Sequence, residues 1–121
     1  GGKEFYFATT HLDHKYEDAA RLLQINEILS HVEQLDLPVI LGGDLNSRRG
    51  SATMDAFQRY FTVNCLSDGA PWTVPTPNPT YACDWLIYAP NKAFVVKAYN
   101  VCYWADKESD HFPVTATYVI R

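Results

Sequence analysis

The chain has 121 residues, 47% of them apolar and 14% aromatic, with a formal charge of −4. That length holds at most one domain, and the apolar share is enough to bury a core, which excludes a disordered chain. The basic residues are scattered, so the charge neither requires nor excludes a nucleic acid partner, and no apolar run approaches the ~20 residues of a membrane span.

The amino terminus lacks the basic-then-apolar pattern of a signal peptide. It opens on "GGKEFYFATT", a glycine turn running straight into a strand, as the middle of a fold does, so localisation is left open. From Phe5 to Thr10 the β-formers lie on both faces, which predicts a strand buried on two sides and delivers His11 to its end. Residues 17–35 place Leu22, Ile25, Leu29 and Val32 at steps of three and four, with Ile28 and Leu35 widening the stripe, and predict a helix covering one face of a sheet. Pro38 ends it, "VIL" predicts a short buried strand, and Gly42 and Gly43 allow a tight turn before Asp44. Ser51 is placed to cap a second helix in which Met54, Phe57 and Phe61 share a face.

Residues 67–80 hold four of the seven prolines and predict a loop. "DWLIY" from Asp84, "AFVVKAYNVCYW" from Ala93 and "FPVTATYVI" from Phe112 read as strands, the last with Val114, Ala116, Tyr118 and Ile120 on one face. Cys65, Cys83 and Cys102 are odd in number, lack ligand spacing and lie in or beside apolar runs, and so read as buried thiols. The order strand, helix, strand, helix, then three strands predicts a layered α/β fold (α+β in some schemes). If helices cover one face of this sheet, the other is apolar and needs a partner.

Four polar clusters share one description, each lying at a strand terminus or in the loop beside one: His11 to His14, Asp44 to Asn46, Asp84, and Asp110 with His111. Ligands gather at such strand ends in α/β sheets. Carboxylates and an amide carbonyl are hard oxygen ligands suited to Mg²⁺ or Mn²⁺, while histidines beside carboxylates give or take protons near neutral pH. Together these are the means to attack a phosphate ester with water. Plain structural roles compete with this: strand-end hydrogen bonding for His11 and His14, turn or cap roles for Asp44 and Asn46, a strand start for Asp84, a loop carboxylate for Asp110. Arg48 and Arg49 read as solvated loop charges before phosphate clamps, and Trp72, Trp104 and Tyr81 as packing groups before substrate platforms. A zinc hydrolase using His11, His14 and Asp110 is a further alternative, but its histidines would lie at a strand end and Asp44-x-Asn46 would be unexplained.

"THLDH", "GGDLNS", the Asp that opens "DWLIY", and "SDHFPV" resemble, in order and character, the carboxy-terminal motifs of the endonuclease/exonuclease/phosphatase superfamily, the deoxyribonuclease I-like metal-dependent phosphoesterases. The resemblance spans nearly the whole chain, and its strength is in the combination. It implies that residues 1–121 are the carboxy-terminal part of a single such domain with the amino-terminal half absent. The implied fold is half of a four-layer α/β sandwich, one mixed, mainly antiparallel sheet with helices on its outer face.

The resemblance also implies roles. Asp44 would orient or deprotonate the attacking water and Asn46 would hold a phosphate oxygen. Asp110 would help bind the divalent metal. His111 would contact the scissile phosphate as stabiliser or base, with Asp84 on its far nitrogen, and His11 would be the acid for the leaving oxygen. The family's metal-binding Glu and early Asn have no counterpart here, and Asp84-Trp85 stands where Asp-Tyr is usual. The implied activity is divalent-metal-dependent hydrolysis of a phosphate ester by in-line attack of water, on a small molecule, a lipid headgroup or a nucleic acid. The alternative is a truncated, non-catalytic half-domain acting as a binding module or self-associating through its uncovered sheet face.

Overall fold

The computed structural model describes residues 2–63 and 71–121. Strand β1 (Tyr6–His11) leads into helix α1 (Ala19–Val32), whose stripe buries Ile25 and Val32 and half-buries Leu22, Ile28 and Leu29. The helix is shorter than residues 17–35. At its start the Asp18 side chain makes no cap hydrogen bond, and after Val32 the amides of Gln34 and Leu35 turn back onto His31 and Val32 in a tighter turn. Strand β2 (Val39–Asp44) is buried through Gly42. Ser51 caps helix α2 (Ala52–Gln58), its side chain accepting from the Met54 amide at 3.2 Å. Phe61 lies beyond the helix but packs in the same core. Strands β3 (Asp84–Ala89), β4 (Phe94–Val101) and β5 (Val114–Ile120) complete the order. β4 stops before Cys102-Tyr103-Trp104, so that part of the predicted strand is a turn.

β2 is central, parallel to β1 and antiparallel to β3. β4 and β5 form an antiparallel pair with an irregularity between Val96 and Ala98. The expected single sheet is therefore divided into a mixed three-stranded sheet and a two-stranded one. The division falls where tyrosine hydroxyls meet the backbone of β3: Tyr99 accepts from the Leu86 amide at 3.3 Å and Tyr118 donates to the Leu86 carbonyl at 3.5 Å. Side chains satisfy groups that a neighbouring strand would otherwise pair.

Both helices cover one face. Ile25, Val32, Met54 and Phe57 pack on Val39, Leu41, Trp85, Ile87 and Ala89, while a second cluster joins Ile40 and Tyr88 on the opposite face to Phe94 and Val96 of β4. The expectation that β1 is buried on two sides is corrected: Tyr6 is 41% and Phe7 64% exposed. β1 has a strand on one side only, and its outer residues lack the cover that the helices give β2 and β3. Trp72 and Trp104 are likewise exposed. Cys83 is buried, Cys102 half-buried, and Cys65 lies outside the described residues.

Candidate active site

Strand register assembles the site. His11 is paired with Asp44 across β1 and β2, and Asp44 with Asp84 across β2 and β3. Directly opposed residues point to the same side of a sheet. Counting in twos from Ile40, Leu86 and Tyr88, these three side chains stand on the face away from the helices. Gly43 permits this close approach, with φ +151° and a would-be Cβ only 1.9 Å from the Thr10 carbonyl oxygen.

The segment before β5 adds His111 to this row. Its Nδ1 lies 2.8 Å from Asp84 Oδ2, and its Nε2 lies 3.9 Å from Asp44 Oδ2. His11 Nε2 approaches the same Asp44 oxygen at 3.3 Å. One carboxylate oxygen thus sits between two imidazoles, and a second carboxylate fixes the ring of one of them. The chain entering β5 is held by the Phe112 amide on the Thr73 carbonyl and the Thr76 amide on the Asp110 carbonyl, at 2.7 and 2.9 Å.

Asn46 has φ 45°, a left-handed conformation that Asn tolerates well. Its amide donates to Asp44 Oδ1 at 2.8 Å, and its Nδ2 donates one hydrogen to the Leu12 carbonyl at 2.8 Å, tying the β2 turn to the end of β1. Asp110 stands at the edge. Its side chain is exposed, and its carboxylate meets Ser109 Oγ at 3.5 Å. His14 is exposed on the rim of a neighbouring cleft, so His11, His14 and Asp110 do not form a compact zinc site.

Two further groups belong to the constellation. Thr73, 1% exposed, donates from Oγ1 to Asp84 Oδ2 at 2.5 Å, and Cys83 Sγ lies 3.5 Å from that oxygen. Burial, reinforced by the Asp84 and Asp44 charges, pushes the Cys83 thiol far above its ordinary range, so it stays neutral. Burial alone would lower the His111 pKa. The Asp84 hydrogen bond and the charges of Asp84, Asp44 and Asp110 outweigh it and hold that imidazole above its ordinary value.

Among the described residues, Asp44, Cys83, Asp84 and His111 are the cluster whose donor atoms lie within 4.8 Å of one another. Their chemistry is that of a hydrogen-bonded set and not of an ion cage. Asp84 Oδ2 already serves Thr73, His111 and Cys83, and the thiol is protonated. Asp44, the Asn46 amide and, outside that compact cluster, Asp110 carry the hard oxygens that divalent cations of the Mg²⁺ type take.

The chain has no match among protein-family models or curated protein sequences. Solved structures do match. A conserved protein of unknown function from Enterococcus faecalis superposes with a TM-score of 0.78 at 23% identity, covering 93% of this chain and 49% of that one. An endonuclease/exonuclease/phosphatase family protein from Bacteroides thetaiotaomicron gives 0.68 at 25% identity, with 93% and 49% covered. The fold is one half of an endonuclease/exonuclease/phosphatase domain. A mannosyl-6-phosphatase from Bacteroides thetaiotaomicron matches this half-domain with a TM-score of 0.66 at 24% identity, over 93% of this chain and 50% of its own. The half-domain thus spans about half the length of the solved structures it matches. None of its helices among the described residues is long and apolar enough to cross a membrane.

Proposed function

We propose that residues 1–121 supply the carboxy-terminal half of a single phosphoesterase domain, which hydrolyses a phosphate ester by in-line attack of water with Mg²⁺ or Mn²⁺. The observation that carries this reading is the cross-strand row His11–Asp44–Asp84 completed by His111, with Asp84 2.8 Å from its Nδ1. The fold shared with a family that includes a phosphatase supports it. The exposed face of β1 also supports a four-layer sandwich in which a second sheet covers it.

In this mechanism Asp84 accepts from His111 Nδ1 and fixes the ring, so that Nε2 faces Asp44 and the substrate. His111 then stabilises the charge that develops on the phosphate or takes a proton there. Asp44 orients the attacking water and receives its proton. Asn46 Nδ2, with one hydrogen spent on Leu12, offers the other to a phosphate oxygen. His11, exposed beside Asp44, returns a proton to the leaving oxygen. Asp110 would hold the divalent ion, which would neutralise charge on the phosphate oxygens.

The test is an assay of the complete domain against phosphomonoesters and diesters, with Mg²⁺, Mn²⁺ or chelator. Hydrolysis should require the ion, and activity surviving in Asp44→Ala or His111→Ala sinks the assignment.

A second reading, a half-domain that binds or pairs with itself, is favoured by one observation: Phe5 and Phe7 are exposed aromatics on the same side of β1 and its approach, away from the helices. Light scattering decides it, since a stable monomer of the isolated chain counts against pairing through that face.

A further inference from the structure

Beside the row of acids and histidines lies a cleft of about 690 Å³, the size of a small-molecule site. Asn46 borders both. The cleft runs between the β1–α1 loop, with His14 and Lys15 at its rim, and the turn after β2, which contributes Ser47 and Arg48, with Tyr81 alongside.

Two observations point to a ligand there. Ser47 is 4% exposed, and its Oγ has no hydrogen-bond partner among the described residues. Buried hydroxyls almost always find one, so this unmet bond asks for a partner, an ordered water or a ligand atom, from the side of the cleft that Ser47 lines. Arg48, in turn, holds its guanidinium carbon 4.2 Å from the centroid of the Tyr81 ring. Stacking fixes the plane of the guanidinium while leaving its N–H edge without a hydrogen-bond or ion-pair partner among the described residues. A planar, pre-oriented fork of this kind matches the two oxygens of a phosphate or carboxylate.

The charge balance of the cleft agrees. Its carboxylates are Glu17 and Asp18, but Asp18 is engaged by Arg21 and by the Thr53 hydroxyl. Lys15 and Arg48 therefore face Glu17 alone, a local cationic excess on a chain whose net charge is −4.

We propose that this cleft seats the organic portion of a small phosphate-ester substrate, and that this portion carries a second anionic group, a phosphate or carboxylate, gripped by Arg48. The proposal rests on the phosphate-ester reading above and names the substrate class for it. A neutral leaving group would leave the Arg48 fork idle. A second anion two-pronged on Arg48, with a polar neighbour meeting Ser47, satisfies both residues at once.

Isothermal titration of the chain in Mg²⁺ buffer, with fructose 6-phosphate and fructose 1,6-bisphosphate as probes, tests it. The bisphosphate should bind at least about tenfold tighter, as expected of one added charge-assisted pair. Arg48→Ala should abolish that preference while leaving monophosphate affinity within about twofold, and Arg48→Lys, which keeps the charge but loses the stacked fork, should restore only part of it. Ser47→Ala should raise the urea midpoint of the free chain, by removing an unmet buried hydroxyl, yet weaken the bisphosphate. Equal affinity for the two probes, no binding of either, or an Arg48→Ala variant that weakens both alike overturns the proposal. Arg48-dependent binding without hydrolysis by the complete domain would instead sink the catalytic reading and leave this one standing.

Discussion

Thr73 holds the far end of the His111–Asp84 pair, and replacing it isolates that support. Its hydroxyl has one hydrogen to give and two lone pairs. All are used: Oγ1 donates to Asp84 at 2.5 Å and accepts from the amides of Cys83 and Asp84 at 3.3 and 3.4 Å. Thr73→Val keeps the shape and removes every one of these bonds in a residue that is 1% exposed. Loss of a hydrogen bond to a carboxylate costs roughly 1.5–3 kcal/mol, and two amides left with poor partners bring the total to roughly 2–4 kcal/mol. Thr73→Ser keeps the hydroxyl and gives up one buried methyl group, about 1 kcal/mol. At a urea m-value of about 2 kcal/mol/M, Thr73→Val should lower the unfolding midpoint by about 1–2 M, well beyond Thr73→Ser. In the complete domain the same change should slow phosphate-ester hydrolysis about tenfold or more, because Asp84 then fixes the imidazole less well. A Thr73→Val chain as stable as Thr73→Ser, in a domain of unchanged rate, would refute the reasoning that Thr73 anchors this pair.

The raised His111 pKa has a definite sign for stability. Its contribution is full below the unfolded-state value of about 6.5 and disappears as pH rises through the folded-state value, so the stability deficit of His111→Gln should be larger at pH 5.5 than at pH 9 by urea titration. Gly43→Ala should cost about 3 kcal/mol or more, since its Cβ meets the Thr10 carbonyl oxygen at 1.9 Å, whereas Gly50→Ala, at φ +84° with open space around it, should cost only about 1–2 kcal/mol in the same thermal or urea melt. Arg21 is 4% exposed and donates to the carbonyls of Asp13, Lys15 and Tyr16 as well as to Asp18 and Thr53. Arg21→Met should destabilise the chain by about 3–5 kcal/mol and selectively lose hydrogen-exchange protection in residues 13–18.

The sequence was most legible where one period dominates. The Leu22–Val32 stripe and the apolar run of β2 are local patterns, and the structure buries both as elements of one core. Ser51 was legible for a similar reason, because a cap acts within three residues. β1 was misread because apolar residues on both faces look the same whether or not a covering layer is present. The two-sheet division was invisible, since it depends on Tyr99 and Tyr118 reaching Leu86 from other strands. At the site, the motifs named His11, Asp44, Asn46, Asp84 and His111, but no motif points to Thr73 in a proline-rich loop or to Cys83 as a neighbour of Asp84. Arg48 and Arg49 are indistinguishable side by side in the sequence; the position of Tyr81, 33 residues beyond Arg48, gives the first of them its stacked geometry.

The row His11–Asp44–Asp84 depends on where three strands end relative to one another. Because side chains alternate along a strand, deleting one residue between Val39 and Gly43 would either drive apolar side chains out of the helix-facing core or turn Asp44 into it. The spacing of β2 is thus fixed twice, by packing on one side and by the row of acids and histidines on the other. Insertions and deletions should be purged from these six residues, while apolar-for-apolar substitutions at Val39, Ile40 and Leu41, which preserve the alternation, pass.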